Sequence, residues 1–427
     1  MSEFDADIQD TLPSSSADTV ITGGRRVAIV TPTLRKIGGT EVYVWRLIRV
    51  LREMGIRVAA FTQDGPPGEV ETDGVMEYRC GDVLSESLWP AAWKQRAPAV
   101  AELADKIAKS ADVVNFHRLA PLDLLRKLKG RVPIALSVHT TELTCPSGGR
   151  YLPKSARACE RTPGFGCLVS HLGEGCLCTP DGKPFPLRQK LRALKKRGVS
   201  TEIAEIADVM FFNSNALMNN FRTHIAHPRA FKVISPPLET IAADGAREAD
   251  LMLYVGRLET NKGVFEALEV LKRLPGTRLE FYGEGGARAD LEARISFDKL
   301  GERATIKGWV DNKALAIAYA RASCVLVPSL LFESFGMSGI EAISHGCPAV
   351  AYDVGGTREW CSPTYGTLVP QGDVQGLAVA AARWLERMKA GLDTSTWGKS
   401  ARRRWGGERF ARDYVLAVED LLSGHDA

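Results

Sequence analysis

The chain has 427 residues, of which 45% are hydrophobic and 25% charged, the balance of an ordinary globular protein rather than of a disordered or fibrous one. This length predicts two to three domains. Lys and Arg number 55 and Asp and Glu number 51, a net charge of +4, which is too small to make nucleic acid the default partner. No apolar run approaches the roughly 20 residues needed to span a bilayer.

Residues 1–24 are acidic and rich in serine, and they lack the basic start and apolar centre of a signal peptide. We interpret them as a disordered leader and expect the protein to be cytoplasmic. The triplet Asp5-Ala-Asp7 matches the D-x-D pattern that can hold a metal–nucleotide, but within such a leader we interpret it as chance.

Short apolar runs typical of buried parallel strands follow in the first half. These predicted strands cover 25–33, 58–61, 111–116, 133–139, 207–214 and 231–237. The pair Gly38-Gly39 separates the first strand from a predicted helix over 42–55, which makes a strand–glycine loop–helix unit. Pro236-Pro237 and the polar stretch 239–250 indicate an interdomain linker.

The second half repeats the alternation of strands and helices. Strands are predicted over 251–257, 278–285, 304–310, 323–329 and 348–356, and helices over 264–273, 311–321, 337–345, 374–389 and 405–422. Alternating strands and helices predict the α/β class, with two doubly wound, Rossmann-like domains that face a central cleft. Ligands in such domains bind at the carboxyl ends of the strands.

The domain boundaries follow from these elements. We predict the leader at 1–24, an N-terminal domain at 25–237, a C-terminal domain at 238–400, and a last helical segment at 401–427. We expect this last segment to pack back on the N-terminal domain.

Five of the nine cysteines fall within 34 positions, in a stretch rich in Gly and Pro. They are Cys145, Cys159, Cys167, Cys176 and Cys178. A loop this long needs something to hold it. Three explanations remain open. The first is a structural zinc bound by four thiolates such as Cys159, Cys167, Cys176 and Cys178, with His171 as a further candidate ligand. The others are a disulfide or redox role, and plain reduced thiols.

The most informative stretch for chemistry is PSLLFESFGMSGIEAISHG, residues 328–346. Glu333 follows a strand, Phe335-Gly336-Met337-Ser338 opens a helix, and Glu341 lies on that helix. The start of a helix offers unpaired N–H groups and the positive end of the dipole, which suit a phosphate. The two carboxylates could each bind a sugar hydroxyl, although two ordinary glutamates near a helix start remain the alternative.

Earlier in the same half, VGRLETNKG places Arg257 and Lys262 in a loop after a strand. Two cations there could neutralise a diphosphate. Gly283 lies in a further glycine loop at a strand end, and Val310 follows the next strand, where backbone groups could hold a nucleobase. The turn DVGGTRE, residues 353–359, is as readily structural as functional.

Taken together, GRLETNKG, FYGEG, GWV, the pair Glu333…Glu341 and GGTRE make residues 251–390 resemble the nucleotide-sugar-binding half of the family 4 glycosyltransferases, the retaining GT-B enzymes. The first half is similar to the acceptor-side domain of that family through its first strand, Gly38-Gly39 and His139. By this resemblance, residues 140–186 form a lid or an acceptor-shaping insertion over the cleft. The residues Thr140-Thr141-Glu142 that follow His139 depart from the usual pattern of the family, so we expect a different acceptor surface.

The resemblance implies roles for individual positions. Glu341 would bind the nucleotide ribose, and Glu333 would contact the hydroxyls of the donor sugar. Arg257 and Lys262 would hold the diphosphate, which Gly38 and Gly39 would approach from the other domain. His139 would point towards the reacting sugar. His117 is more readily explained as structural or acceptor-side.

The expected reaction is transfer of a sugar from a nucleoside diphosphate sugar to an acceptor hydroxyl, with retention of configuration and without a metal or other cofactor. The expected acceptor is a saccharide, a glycolipid or a small molecule. A GT-B phosphorylase, a nucleotide-sugar epimerase and a non-catalytic nucleotide-sugar-binding protein are the alternatives. The basic segment 186–198 carries leucines at helical spacing, so it could lie on an anionic membrane at its inner face, or it could be a solvated basic helix.

Overall fold

The computed structural model describes residues 24–35, 39–84, 90–118, 121–177, 186–225, 227–239, 241–243 and 245–423. Two parallel α/β domains are present, as the alternation of strands and helices predicted. Among the described helices, none has both the length and the apolar composition that crossing a bilayer requires.

The first domain is built on a sheet of eight strands, ordered β10-β9-β6-β5-β1-β2-β4-β3. Its strands, with the separate hairpin β7-β8, are β1 Arg26–Thr31, β2 Arg57–Thr62, β3 Gly68–Thr72, β4 Val75–Arg79, β5 Val113–His117, β6 Ile134–Val138, β7 Tyr151–Leu152, β8 Arg157–Ala158, β9 Val209–Phe212 and β10 Phe231–Val233. Its helices are α1 Gly39–Glu53, α2 Pro90–Ser110, α3 Leu122–Leu128, α4 Phe165–Glu174, α5 Leu187–Ile206 and α6 Asn215–His224. All pairs in the large sheet are parallel except β3 with β4.

The second domain has six parallel strands in the order β13-β12-β11-β14-β15-β16. They are β11 Glu248–Val255, β12 Arg278–Tyr282, β13 Ala304–Gly308, β14 Ala322–Val327, β15 Ala349–Tyr352 and β16 Gly366–Val369. The remaining helices are α7 Val264–Arg273, α8 Arg288–Phe297, α9 Asn312–Arg321, α10 Met337–Ser344, α11 Val374–Lys389, α12 Trp397–Trp405 and α13 Gly407–Ser423.

Helix α1 shows how the sequence places an element. Its apolar residues recur at helical spacing, and Val44, Leu47, Ile48 and Leu51 are buried against the sheet. This stripe holds the helix so that its first turn, at Gly39, stands at the carboxyl edge of β1.

The last helix, α13, follows the second domain in sequence but packs on the first. Phe410 and Tyr414 lie in the same apolar cluster as Val44 and Ile48 of α1. Tyr414 Oη also accepts a hydrogen bond of 2.7 Å from Nδ2 of the buried Asn115 in β5. The chain therefore passes between the domains twice.

The two passages lie side by side. The backbone N–H of Leu238 donates to the carbonyl of Trp405 at 2.7 Å, and Leu238 forms a parallel β-bridge with Gly406. The interdomain linker and the turn between α12 and α13 are thus paired with each other.

Candidate active site

Residues far apart in sequence meet at the carboxyl edge of the second sheet. The central strands β11 and β14 are neighbours, with Leu253 opposite Val325, so the loops that leave them emerge together. Lys262 comes from the loop after β11 and Glu333 from the loop after β14. Lys262 Nζ lies 2.6 Å from Glu333 Oε1.

Glu333 is buried and keeps its charge through its neighbours. Burial alone would raise the pKa of this carboxyl, but the charge of Lys262 and hydrogen bonds from Lys262 and Ser329 bring its pKa below the ordinary value, with a further contribution from Arg257. Ser329 Oγ donates to Glu333 Oε1 at 2.5 Å. The site therefore holds a carboxylate that is already ionised and oriented.

Arg257 stands beside this pair with its side chain exposed. Its guanidinium Nη1 lies 3.7 Å from Oε1 of Glu259. Its backbone is held by Tyr254, whose Oη donates to the carbonyl of Arg257 at 2.7 Å. The guanidinium is thus tethered at its base and open to an anion at its tip. The structure brings Arg257, Lys262 and Glu333 together.

The turn that carries Glu333 is held from behind by the GGTRE stretch. The N–H of Gly356 donates to the carbonyl of Glu333 at 2.8 Å, and Nε1 of the buried Trp360 donates to the carbonyl of Phe335 at 2.6 Å. A side chain at Gly339 would meet the Trp360 ring at 2.2 Å, so only glycine lets the two pack. These contacts give the stretch a structural role.

Glu341 lies one turn into α10 and lines a separate small cavity of about 30 Å³, together with Arg46 and Tyr319. Tyr319 Oη donates to Glu341 Oε2 at 3.2 Å. Burial raises the pKa of Glu341, because desolvation outweighs the charge of Arg46 and the hydrogen bond from Tyr319. Glu341 therefore does not share the Lys262–Glu333 contact.

The other residues predicted to bind the donor lie in the strand-end loops of the second domain and at the start of α10. Gly283 begins the loop after β12 with φ +136°. A Cβ there would lie 1.9 Å from the carbonyl oxygen of Gly256, so the two strand-end loops touch through backbone. Phe335 is buried, whereas Met337 and Ser338 in the first turn of α10 and Val310 after β13 are half-buried. Gly336 precedes α10 directly.

His139 lies in the first domain at the end of β6, where it pairs with His117 at the end of the neighbouring β5. His117 Nδ1 and His139 Nε2 are 2.9 Å apart, and Asn213 Nδ2 lies 3.4 Å from His139 Nδ1. Burial, with the nearby charge of Arg118, lowers the pKa of His139 to about 3. His139 is thus a neutral side chain whose two ring nitrogens both contact protein.

His117 completes this arrangement. Its ring is fully buried, and its Nε2 has no hydrogen-bond partner among the described residues. The sequence signal for the pair was present, since VVNFH and ALSVH both place a histidine at a strand end. The adjacency of β5 and β6 is what brings them together.

Of the two glycines predicted to approach the diphosphate, the structure describes only the second. Gly38 lies outside the described residues, and Gly39 is the exposed first residue of α1. The first turn of α1 also carries the buried Glu41, whose Oε1 lies 3.1 Å from Arg118 Nη1. Arg118 itself has φ +62°, a left-handed conformation that is uncommon for a residue other than glycine.

The two domains contact each other next to Glu333. Ser214 Oγ donates to the carbonyl of Ser334 at 2.6 Å. Glu359 accepts from Asn215 Nδ2 at 3.2 Å and from the N–H of Ala216 at 3.3 Å. Sequence reasoning missed these residues, although Ser214 just before an amphipathic run is a typical N-cap signal.

The cysteine-rich insertion also reaches the second domain. The N–H of Ala158 donates to Gln371 Oε1 at 3.0 Å, and Gln371 Nε2 donates to the carbonyl of Leu330 at 2.8 Å. Tyr151 packs against the apolar core of the second domain. The insertion and the loop that carries Glu333 are therefore joined through one glutamine side chain.

Inside the insertion, a buried Arg150 acts as the organising centre. Its guanidinium donates to the carbonyls of Thr144, Cys159 and Arg161, and Nη2 lies 2.9 Å from His224 Nε2. One buried side chain thus ties three points of an irregular loop.

The cysteines of the insertion are free thiols where they are described, and Cys159, Cys167 and Cys176 are half-buried. Burial raises the pKa of Cys176 to about 11. Cys178 lies outside the described residues. Among the residues that the structure describes, no three Cys, His, Asp or Glu side chains are grouped closely enough to hold a metal ion, and the zinc hypothesis that includes Cys178 stays a prediction.

An open groove of about 700 Å³ lies in the first domain at the carboxyl ends of β1, β2 and β4. Its polar lining includes Thr33, Gln63, Asp64 and Asp82. Thr33 Oγ1 donates to the Asp64 carboxylate, and Arg35 lies 3.7 Å from it. The groove offers hydroxyl, amide and carboxylate partners for a hydroxyl-rich molecule.

Solved structures with similar architecture define the class of fold. Sucrose-phosphate synthase from Thermosynechococcus elongatus superposes with a TM-score of 0.66 at 20% identity, covering 94% of this chain and all of that one. Anabaena Alr3699/HepE in complex with UDP gives 0.65 at 16% identity, covering 93% and 100%. The fold is GT-B, with two Rossmann-like domains.

Family models identify the sequence family. The model described as "Glycosyltransferase Family 4" matches residues 37–240, and the model described as "Glycosyl transferases group 1" matches residues 241–404. The chain belongs to the family 4 glycosyltransferases, as the motifs predicted.

Relatives with assigned activities match over parts of their length. Poly(glycerol-phosphate) alpha-glucosyltransferase of Bacillus subtilis is 27% identical over 34% of this chain and 22% of its own length. Glycogen synthase of Mycobacterium tuberculosis is 34% identical over 32% and 34%. Sulfoquinovosyl transferase SQD2 of Arabidopsis thaliana is 25% identical over 83% and 63%. The chain thus spans less than two thirds of each of these relatives.

Proposed function

We propose that the protein transfers a sugar from a nucleoside diphosphate sugar to a hydroxyl of an acceptor, with retention of anomeric configuration. The observation that carries this proposal is the contact between Lys262 and Glu333, with Arg257 beside it, next to the start of α10. A cation, an exposed guanidinium and the positive end of a helix at one point suit a diphosphate. Two of the relatives are named as a glucosyltransferase and a sulfoquinovosyl transferase. Two solved structures of Anabaena Alr3699/HepE contain UDP and glucose, or UDP-glucose.

In this reaction the bond between the anomeric carbon and the diphosphate breaks, and a bond from that carbon to the acceptor oxygen forms. Positive charge develops at the carbon and negative charge on the departing diphosphate. Lys262 and Arg257 would stabilise the diphosphate, which is the group that most needs preorganised positive charge. The same two cations make a divalent metal unnecessary in our proposal.

Glu333 would accept hydrogen bonds from hydroxyls of the donor sugar. Its carboxylate is ionised and held by Ser329, so it is ready to act as an acceptor without rearrangement. When the diphosphate binds, Lys262 gains a second anionic partner beside Glu333. Glu341, whose carboxylate accepts a hydrogen bond from Tyr319, would bind the ribose.

The proton of the acceptor hydroxyl would pass to an oxygen of the departing diphosphate on the same face. His139 is a poor candidate for this proton, because its pKa is about 3 and both ring nitrogens already have partners. The acceptor, a saccharide, a glycolipid or a small molecule with free hydroxyls, would enter through the groove lined by Thr33, Gln63 and Asp64.

The test is release of nucleoside diphosphate from a panel of UDP-, GDP-, ADP- and dTDP-sugars, with and without mixed acceptors and with EDTA present. We expect one base to be preferred and EDTA to have no effect. Lys262→Ala should lower kcat/KM by about 100-fold or more, the usual cost of removing a preorganised charge partner. The anomeric coupling constant of the product, measured by NMR, should match that of the donor.

The matched control is Lys389→Ala, which removes an exposed lysine of α11 on the same domain and should leave the rate unchanged. Glu333→Gln keeps the shape of the side chain and removes its charge, so it should lower the rate while the chain stays folded. Full activity in both Lys262→Ala and Glu333→Gln would contradict the proposal. Consumption of inorganic phosphate without release of nucleotide would indicate a phosphorylase instead.

A further inference from the structure

Helix α4, within the cysteine-rich insertion, turns its apolar side chains towards solvent. Phe165, Val169 and Leu172 recur at positions i, i+4 and i+7, which place them on one face, and their exposed fractions are 72%, 52% and 84%. Ser170 is the buried residue of this helix, and Leu168 is half-buried. A helix that packs only on its own domain normally shows the opposite pattern.

Helix α5 packs against α4 and continues the same surface. Leu187 is 72% exposed, and Leu194, seven positions later on the same face, is 43% exposed. Five of the thirteen large apolar side chains that are exposed in the described part of the chain thus fall between residues 165 and 194. Exposed apolar side chains clustered in one segment are typical of an interaction site.

Two cations of α5 lie on the same stripe as its exposed leucines. Between residues 186 and 201 the sequence has six Lys and Arg and no Asp or Glu, while the whole chain has a net charge of only +4. Lys190 and Arg197 share a face with Leu187 and Leu194, three positions after each leucine. Lys190 also lies near His171 of α4. Burial lowers the pKa of His171, and the charge of Lys190 lowers it further.

Apolar side chains and cations on one exposed face have a specific chemical complement. The interface of an anionic bilayer accepts apolar side chains among the acyl chains and attracts Lys and Arg to its head groups. A protein partner would have to supply an apolar groove with an acidic rim, whereas a second copy of this surface would bring like charges together. Charge complementarity therefore favours lipid.

We infer that the surface formed by Phe165, Val169, Leu172, Leu187 and Leu194 with Lys190 and Arg197 docks the protein on an anionic lipid bilayer. This α4–α5 surface lies on the first domain, and α4 belongs to the insertion that reaches the second domain through Gln371. Docking would hold the acceptor-side domain at the membrane without a spanning helix. The inference stands apart from the proposed reaction, because binding to lipid needs no donor.

The test is flotation of the full-length chain with vesicles of phosphatidylcholine containing 30% phosphatidylglycerol, and with vesicles of phosphatidylcholine alone. We expect the anionic vesicles to bind at least tenfold more protein, and binding to weaken as NaCl rises from 50 to 500 mM, because salt screens the charge contribution. Val169→Glu with Leu172→Glu should lower binding at least tenfold. Leu172→Trp should show a blue shift of tryptophan emission on addition of anionic vesicles.

Two controls separate this surface from general effects. Phe297→Glu changes a residue of α8 that is 80% exposed and should leave vesicle binding unchanged. Lys190→Gln with Arg197→Gln should reduce binding to anionic vesicles, whereas Lys389→Gln with Lys399→Gln removes the same charge elsewhere and should not. Thermal unfolding and nucleotide release in solution report folding and catalysis separately for each variant.

Three outcomes would overturn the inference. One is absence of wild-type binding to anionic vesicles. Another is equal binding of the Val169→Glu/Leu172→Glu variant and the wild type. The third is a wild-type dimer that becomes monomeric in that variant without any lipid binding, because it would show that the α4–α5 surface is covered by a second copy.

Discussion

The hydroxyl of Ser214 donates a hydrogen bond of 2.6 Å to the carbonyl oxygen of Ser334. Ser214 belongs to the first domain and Ser334 to the second, next to Glu333. The same hydroxyl accepts from the N–H of Leu217 at 3.0 Å and so caps helix α6. One small side chain therefore both starts a helix and joins the two halves of the candidate site.

The two roles of Ser214 can be separated by comparing Ser214→Ala with a substitution at an N-cap residue that makes no contact between domains. Asp373 caps α11 through the N–H of Gly376 at 2.7 Å and serves as the control. Both Ser214→Ala and Asp373→Ala should lower the free energy of unfolding by about 1 kcal/mol, the usual cost of a lost N-cap. Only Ser214→Ala should also lower kcat/KM for transfer, measured by nucleotide release. Equal kinetics in the two variants would show that the contact between domains has no part in turnover.

Two glycine substitutions should have opposite effects on stability. Gly339→Ala places a methyl group 2.2 Å from the Trp360 ring, so we expect a loss of about 1–3 kcal/mol from overpacking, together with lower activity because the turn at Glu333 shifts. Gly198 lies inside α5 with open space around it. Gly198→Ala should gain about 0.5–1 kcal/mol, since alanine is the better helix former. Urea unfolding of both variants measures this, and a stabilising Gly339→Ala would refute the packing argument.

Gln371 should prove to be the link between the insertion and the Glu333 loop. Gln371→Ala removes the acceptor for the N–H of Ala158 and the donor to the carbonyl of Leu330. Hydrogen exchange at the Ala158 amide should accelerate by tenfold or more, because its hydrogen-bond acceptor is gone. Gln371→Glu keeps an acceptor, so the Ala158 amide should stay protected in that variant while the loop side of the link is lost. Unchanged exchange at Ala158 in Gln371→Ala would rule the link out.

The histidine pair should make the protein sensitive to mild acid. Burial holds the pKa of His139 at about 3 and that of His117 well below its usual value, so the unfolded chain binds more protons than the native one below pH ~6.5. Stability should therefore be full above that pH and fall as pH decreases, by up to about 1.4 kcal/mol per pH unit for each histidine.

This prediction is checked by urea unfolding at pH 7, 6 and 5. The double variant His117→Asn with His139→Asn should show a shallower dependence on pH than the wild type, even if its stability at pH 7 is lower. His227→Asn, at an exposed position, is the control for loss of an imidazole. A double variant with the same slope as the wild type would mean that the two histidines take up protons in the native state as readily as in the unfolded chain.

Much of this architecture could be predicted from the sequence, because alternating apolar strands and helices leave few choices. The convergence of Lys262 and Glu333 required one further fact, that β11 and β14 are neighbours in the sheet. The periodicity of apolar residues does not predict the order of strands in a sheet. The convergence was therefore predicted from the resemblance to the family. The placement of Arg257 beside this pair followed for the same reason.

Other relationships depended on packing between distant segments and could not be predicted. His139 was expected to point towards the reacting sugar, but its ring nitrogens contact His117 and Asn213. The GGTRE turn was ambiguous in sequence because its partners, the backbone of Glu333 and Phe335, show no sequence signal of their own. The exposed face of α4 was also missed, since apolar spacing alone does not tell which way a helix faces.

The paired passages at Leu238 and Gly406 have a mechanical consequence. The two backbone segments are joined by a hydrogen bond of 2.7 Å. We expect such a pair to resist twisting more than bending, so that the domains would rotate about one fixed axis. Any swing of one half against the other then produces the largest displacement at the points farthest from that axis. A nick in either passage would leave one covalent connection between the halves, and the axis would no longer be fixed.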